Sequence, residues 1–409
     1  MPTGRQVDGP LAGVRVADFS WVWAGPFCTM HLAHLGAEVV RMESMRRVDV
    51  LRFLPPFADG QAGPNRSGYF NQYNQGKRSV SLDLTTDEGK EIAKRVVAVS
   101  DVAVENFAGG VIDRLGLGYD VLSEVKPDIV MISMSGYGLN GPDSSFVSYG
   151  PAQVPLAGMS SLTGYAGWQP MHVGMSYGDP NAGRHAAFAV LAALFYRKRT
   201  GKGQYIDMSQ WESSMAVIGE GIMDYTMNRS QPPRDGNRDP FMAPHGIFQC
   251  QGEDAWLSIA CASDDEWRAL CGVMAKPELA GDPRFRTLAG RKANEDELEA
   301  LIAEWTLTQE PFAATEALQA AGVAAFPPMA NFMLDSDPHL QERGFWVEKE
   351  HPEVGVRRHA GIPWRMSATP CDVWRPAPTL GQDNDYVYGE LLGMSAGEIA
   401  ALVERKVIF

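Results

Sequence analysis

Short apolar runs, separated by longer stretches of helical periodicity, organise the first half of the chain. Val14 to Phe19 has the apolar density of a buried strand and is followed by the turn Trp21–Val22–Trp23–Ala24–Gly25–Pro26. Pro26 suits the first turn of a helix, so an amphipathic helix is expected through Leu35, stopped by Gly36. Glu38 to Glu43 reads as a second strand, which completes a βαβ unit of Rossmann type. The alternation continues. Ser79 to Leu84 is a strand, and Thr86–Asp87–Glu88 opens an acidic-ended helix. Val102 to Glu105 is the next strand; it runs into Asn106–Phe107–Ala108–Gly109–Gly110 and a short helix carrying Arg114. Ile129 to Met134 follows, ending in Ser135–Gly136–Tyr137–Gly138. This order predicts a parallel sheet, whose ligands gather at the carboxyl ends of the strands.

The stretch from Gly178 to Thr200 places a carboxylate, Asp179, between Gly178 and Pro180, directly before a long helix. Asn181 offers a local cap and Gly183 a close approach. Ala186, Ala187, Val190, Leu191 and Leu194 recur at helical spacing, so the helix should be buried, and Arg197, Lys198 and Arg199 suit its C-terminus. Taken alone, Asp179 reads as the cap of a core helix. A strand from Gln204 to Met208 and a helix from Gln210 to Met227 come next.

Composition shifts between Asn228 and Pro244 toward Pro, Arg, Asp, Asn and Gly, a crossing into a second domain. Its strands are expected near Gly246–Gln249 and Ala255–Ala260, and its helices near Asp264–Met274, Asn294–Trp305 and Pro311–Ala321. The fold class is therefore α/β. A Rossmann-like large domain uses both chain ends (1–229 and 336–409), and a smaller α+β domain covers 230–335. At 409 residues, two domains are the ordinary expectation.

A formal net charge of −14 argues against nucleic acid or an anionic membrane as the main partner, so any anionic ligand needs local positive contacts. The five cysteines lack CxxC spacing, which fits a reducing cytoplasm and offers no zinc site. The opening MPTGRQVDGP has no apolar signal core, and the apolar run from Ala186 to Tyr196 is too short to span a bilayer. His31 and His34 share a helix face but lack a third ligand, so they read as polar helix residues. Gly136–Tyr137–Gly138–Leu139–Asn140–Gly141 matches GxGxxG, yet Pro142 and Asp143 follow where a dinucleotide fold needs a helix. No nicotinamide, flavin or metal site is expected.

Several stretches in order resemble class III CoA-transferases. They are DFSWVWAGPFCTMHLAHLGAEVVRME (18–43), NQGKRSVSLDLTTDEGKEI (74–92), DVAVENFAGGVIDRLGLGYDVL (101–122), GYGLNGP (136–142), GDPNAG (178–183) and RKRTGKGQYIDMSQWESS (197–214). The resemblance implies that Asp179 is the catalytic nucleophile, passing through an aspartyl anhydride and an aspartyl-CoA thioester. An aspartate with an ordinary pKa of about 3.9 would attack a thioester without a general base. The resemblance also assigns coenzyme A, entering as acyl-CoA substrate, to Trp23, Ala24, Arg41, Leu82, Asp83, Leu84, Thr85, Asn106, Phe107, Ala108, Arg114, Ser135, Gly136, Tyr137 and Gly138. Arg114 is the expected phosphate contact, with Lys77 and Arg78 near in sequence.

Departures from the family pattern inform the substrate. Ser44 and Ser135 replace a family arginine and lysine, with Arg46 or Arg47 as candidate substitutes. Trp23 replaces a glutamine, and Trp21, Phe27 and Trp168 would extend an apolar wall. The family's glycine-run loop is not visible; the region around Asn237 to His245 stands in its place. The expected acceptor is thus a carboxylic acid bulkier than formate or oxalate. Among related racemases a histidine occupies the position of Tyr149, also taken here as a substrate-side candidate, and GDFGGG replaces GDPNAG. Racemase chemistry is the rival reading, and a non-catalytic CoA-binding subunit of a heteromer is another. The resemblance further implies an interlocked homodimer, with pairing to a paralogue left open.

Overall fold

The computed structural model describes residues 9–409, so most of the MPTGRQVDGP stretch lies outside it. The chain forms two compact units. One comprises the chain up to Ser160 with His172–Ser230 and Gln341–Phe409; the other comprises Ser161–Met171 and Gln231–Leu340.

The first unit is built on a six-stranded parallel sheet: β1 (Arg15–Asp18), β2 (Glu38–Glu43), β3 (Arg78–Ser81), β4 (Val102–Glu105), β5 (Val130–Ser135) and β6 (Gln204–Ser209). Their spatial order is β3-β2-β1-β4-β5-β6, so the direction of winding reverses between β1 and β4. That switch opens a crevice at the strand ends where loops from both halves converge.

Helix α1 (Ala24–His34) differs from its expected amphipathic character: all of its residues are buried. Its small and apolar side chains, among them Ala24, Cys28, Leu32 and Ala33, lie between the sheet residues Val39, Val104 and Ile132 and a second helix layer. His31 and His34 are therefore not solvated, and burial lowers their pKa values to about 4 and about 3, which leaves both neutral at pH 7.

Helices α2 (Gly68–Tyr73), α3 (Asp87–Ala98), α4 (Val111–Arg114), α5 (Tyr119–Val125), α6 (Gly150–Leu156) and α7 (Met159–Leu162) precede the long α8 (Gly178–Thr200). Thr86 caps α3 by accepting from the Gly89 amide at 3.0 Å. Ala186, Ala187 and Val190 of α8 are buried in the same core as α1, with Leu191 and Leu194 packed at its edge. Asn181 does not cap α8; its Nδ2 donates to the Ser213 carbonyl at 2.8 Å. The single helix expected after β6 is broken into α9 (Gln210–Met215), a 3₁₀ turn, and α10 (Gly219–Asn228). Among the described residues, no helix is long and apolar enough to cross a membrane.

The second unit carries an antiparallel sheet of β7 (His245–Gln249), β8 (Trp256–Ala260) and β9 (Ala324–Phe326). Helices α11 (Asp264–Val273), α12 (Leu288–Ala293), α13 (Glu295–Thr306) and α14 (Pro311–Ala320) accompany it. Trp267, Leu270, Phe285, Leu298, Ile302 and Leu318 form its core. Strand β9 is only three residues long, too short to leave a periodic signal. α15 (Asn331–Asp335) and α16 (Pro338–Glu342) follow.

The chain then returns to the first unit as the antiparallel hairpin β10 (Trp346–His351) and β11 (Gly355–Ala360), ending in α17 (Ala396–Glu404). Val387, Tyr388, Leu402, Val407 and Ile408 fill the sheet face opposite α1 and α8, so the large core needs both ends of the chain.

Candidate active site

Asp179 lies in the first turn of α8 and is half-buried. Glycines make its setting possible. A Cβ on Gly150 would overlap the Asp179 Oδ2 atom, so the carboxylate rests directly on the backbone that starts α6. A Cβ on Gly178 would meet Gln153 Oε1 at 2.7 Å, and one on Gly183 would meet the Ala24 carbonyl at 2.7 Å. These contacts seat the start of α8 against α6 and α1.

Among the described residues, no lysine, arginine or hydrogen-bond donor meets the Asp179 carboxylate. Burial alone therefore pushes its pKa from the ordinary 3.8 up to about 7. The expectation of an ordinary carboxylate is corrected accordingly. At pH 7 the group is divided between acid and carboxylate, and its charged form is poorly solvated.

Facing this turn is an aromatic cluster that the sequence only half announced. Trp23 and Phe27 pack with Met30, Tyr69 and Tyr73. Ring centroids lie 5.3 Å apart for Trp23–Tyr69, 5.0 Å for Trp23–Tyr73 and 5.6 Å for Phe27–Tyr73. Burial raises the Tyr69 hydroxyl pKa and the Asp179 charge raises it further, so Tyr69 stays protonated beside the carboxylate. Tyr69 and Gly150 are far from Asp179 in sequence, and no local pattern links them. Trp168 is not part of this cluster; it belongs to the second unit, where it is exposed and packs edge-on against Tyr165. Tyr149 is 66% exposed, and among the described residues no side-chain partner fixes it for proton transfer.

The Trp21–Trp23 turn is held from both halves of the sheet. Asn106, after β4, accepts from the Trp21 amide at 2.7 Å and donates to the Trp21 carbonyl at 2.8 Å. Val22 sits at φ 60°, a strained value for a β-branched residue, and its amide donates to Asp49. Asp49 in turn pairs with Arg41 at 2.5 Å. Arg41 is fully buried, and its guanidinium also meets Glu43 and the Ser20 carbonyl. It therefore has no donor facing solvent for a CoA phosphate, and its role is corrected to supporting the turn. Lys77 is equally buried: it pairs with Asp18 at 3.3 Å and donates to the Pro26 carbonyl at 2.9 Å, with its pKa lowered to about 8 by desolvation. Arg78 is bound to Glu38 and Asp383.

The remaining expected CoA residues lie on loops at the sheet's carboxyl edge. Leu82 bridges to Ile408 and the Asp83 amide donates to the Val407 carbonyl at 2.8 Å, so the end of the chain pins this loop. Asp83 Oδ1 accepts from the amide and hydroxyl of Thr85, while Leu84 packs inward. Phe107 stands edge-on to Trp21 with centroids 6.2 Å apart, and Ala108 follows it half-buried. Arg114 is exposed, with its guanidinium over Gly110. Ser135 is buried with its hydroxyl unpartnered among the described residues. Gly136 accepts from the Trp211 amide, Tyr137 packs on Phe146 and Trp211, and Gly138 takes φ 83°. No helix starts here before Gly150, in keeping with the rejection of a dinucleotide loop.

The two candidate substitutes are placed differently. Arg46 pairs with Asp83 at 3.2 Å, and Arg47 lies over the Trp21 ring at 5.3 Å. One residue missed in the sequence is Glu105, buried at the end of β4. It accepts from the Phe107 amide at 2.8 Å, and desolvation raises its pKa to about 7. Among the described residues, no group of His, Cys, Asp and Glu could hold a metal ion.

CoA-transferase family III matches this chain over residues 11–384. The chain belongs to CoA-transferase family III. It is 33% identical over 399 residues to the succinyl-CoA–D-citramalate CoA-transferase of Chloroflexus aurantiacus, covering 98% of each chain. It is also 33% identical to the succinate–glutarate CoA-transferase of Agrobacterium fabrum, over 93% of this chain and 96% of that one. A crystal structure of a CAIB/BAIF family protein from Brucella suis superposes with a TM-score of 0.86 at 32% identity, over 94% of this chain and 100% of the other. The protein is thus a class III CoA-transferase enzyme, and CoA thioesters are its substrates.

Proposed function

We propose that Asp179 is the nucleophile of this transferase and that the acids it serves are dicarboxylates or other carboxylic acids bulkier than formate or oxalate. The observation that carries this reading is a half-buried, desolvated carboxyl at the start of α8, without a cationic partner among the described residues and seated on Gly150. Its Oδ attacks the thioester carbonyl of the donor acyl-CoA and expels the thiolate, giving a mixed anhydride. The thiolate then attacks the aspartyl carbonyl and releases the donor acid, leaving aspartyl-CoA. The acceptor carboxylate repeats the sequence in reverse. Each acylation converts a poorly solvated anion into a neutral ester-like group, so the unpaired setting favours the covalent states over free Asp179. Holding the thioester against a fixed carboxylate supplies a further contribution, on the order of 7–11 kcal/mol in well-oriented systems.

The Trp23–Tyr73 aromatic cluster favours acyl groups with carbon skeletons, and the citramalate, succinate and glutarate of the named relatives point the same way. CoA would lie along the loops at Trp23–Ala24, Leu82–Thr85, Asn106–Ala108 and Ser135–Gly138, with Arg114 toward its phosphates. A homodimer is proposed as well. Phe188 and Phe195 on α8 and Met223, Tyr225 and Met227 on α10 are all more than half exposed, an apolar surface that calls for a partner.

The raised pKa sets the pH dependence. Only ionised Asp179 attacks, so kcat/KM for the donor should rise with pH around a midpoint of about 7. A midpoint near 4 would contradict the buried, unpaired carboxylate.

A further inference from the structure

Helix α6, whose first residue seats Asp179, is weak by its own sequence. It spans seven residues, and Pro151 and Pro155 each remove a backbone donor. Its buried residues are Gly150, Gln153 and Val154. Of these only Gln153 can hydrogen-bond through its side chain, and it is 1% exposed. At the far end of the helix the Leu156 carbonyl accepts from Trp211 Nε1 at 3.2 Å. Closer to Gly150, the polar attachment of α6 is the Gln153 amide.

That amide has a fixed sense. The Met134 carbonyl, near the end of β5, can only accept, so it takes Gln210 Nε2 at 2.7 Å and leaves Gln210 Oε1 for α6. Gln153 Nε2 donates to this oxygen at 3.0 Å and to Ser148 Oγ at 3.2 Å, which uses both of its hydrogens. Gln153 Oε1 is then left buried, without a partner among the described residues. An unsatisfied buried carbonyl is costly, and here the two donated bonds dictate it. The oxygen lies against Gly178, where an added Cβ would meet it at 2.7 Å, and Gly178 immediately precedes Asp179. Gln153 thus touches the nucleophile's own turn, three residues along α6 from the glycine on which the carboxylate rests.

We infer that Gln153 is a positioning residue for the nucleophile: through Gln210 it fixes α6, and with it the seat of Asp179, to the end of β5. The inference rests on the reading of Asp179 as nucleophile and deepens it by naming what sets the carboxylate's distance from the thioester. The neighbouring Ser135–Gly138 loop has anchors of its own. Gly136 accepts from the Trp211 amide at 3.0 Å, and Asp207 accepts from the Leu139 amide at 3.1 Å. Loss of the Gln153 amide therefore moves the nucleophile's seat and spares the loop assigned to CoA, so the rate suffers and CoA binding does not.

Gln153→Met, Gln210→Met and the double variant test the assignment. Met keeps the length of the side chain and removes the amide, and Gln210 lies on a different helix, so its variant decides the matter if Gln153→Met does not fold. Two quantities are measured: the single-turnover release of succinate from saturating succinyl-CoA, and the Kd of CoA by calorimetry. Each single variant should release succinate roughly tenfold to a hundredfold more slowly, the cost of a displaced reacting group, with the Kd of CoA unchanged. Because both amides act through one chain, the double variant should be no slower than the slower single one. Wild-type rates, losses that multiply in the double variant, or a Kd that weakens in step with the rate overturn the positioning role. Hydroxylamine trapping of wild type keeps the two ideas apart. If wild type yields a hydroxamate at Asp179 but the variants keep its rate, only the role of Gln153 fails; if wild type yields none, the nucleophile reading itself fails.

Discussion

Replacing Asp179 with Asn should reduce CoA transfer by roughly ten-thousand-fold or more, the loss typical of removing a covalent nucleophile, while leaving the fold intact. The substitution keeps the size of the side chain and removes only its charge and nucleophilicity. Its effect on stability has a definite sign. Because the folded-state pKa is raised from 3.8 to about 7, the aspartate's favourable contribution is fully present below 3.8 and is lost as pH rises through 7. Above pH 7 wild type therefore buries an unpaired anion that the Asn variant lacks. Its Tm should exceed that of wild type at pH 8, and the difference should shrink toward pH 4. Thermal unfolding at the two pH values, beside the transfer assay, checks both halves. A variant that is inactive and also destabilised at pH 8 would return Asp179 to the role of a helix-start residue.

Gly150→Ala should also be damaging, although residue 150 carries no functional group. The added Cβ would occupy the space of Asp179 Oδ2, so either the carboxylate rotates away or the start of α6 moves. A displacement near 1 Å at a reacting centre can cost about a hundredfold in rate. The expected result is a kcat reduced by about that factor, with the overall fold retained by circular dichroism. Wild-type kcat would show that the carboxylate does not use this seat during turnover.

The parallel frame is legible because its strands are short, apolar and bounded by turns. Glu38–Glu43 and Val102–Glu105 are strands at the residues their pattern indicates. Periodicity misjudges α1 because it assumes one wet face, whereas this helix lies between the sheet and α8. Arg41 misleads for a related reason. A charge at the end of a strand looks available to a ligand, but Glu43, Asp49 and the Ser20 carbonyl enclose it. Asp179 stands out through its GDPNAG turn, whereas its raised pKa depends on desolvation by residues distant in sequence. Gly150 and Tyr69 have no local signal because only the tertiary fold brings them to the carboxylate.

The central claim is that CoA passes through a covalent bond to Asp179. Intact-protein mass spectrometry after brief incubation with succinyl-CoA, followed by peptide mapping of wild type and Asp179→Asn, tests it most directly. The prediction is a CoA adduct on the wild-type peptide containing Asp179, removed by hydroxylamine with formation of a hydroxamate and absent from the variant. An adduct at another residue, or turnover without any adduct while solvent deuterium washes into the α-position of the acyl group, would contradict it.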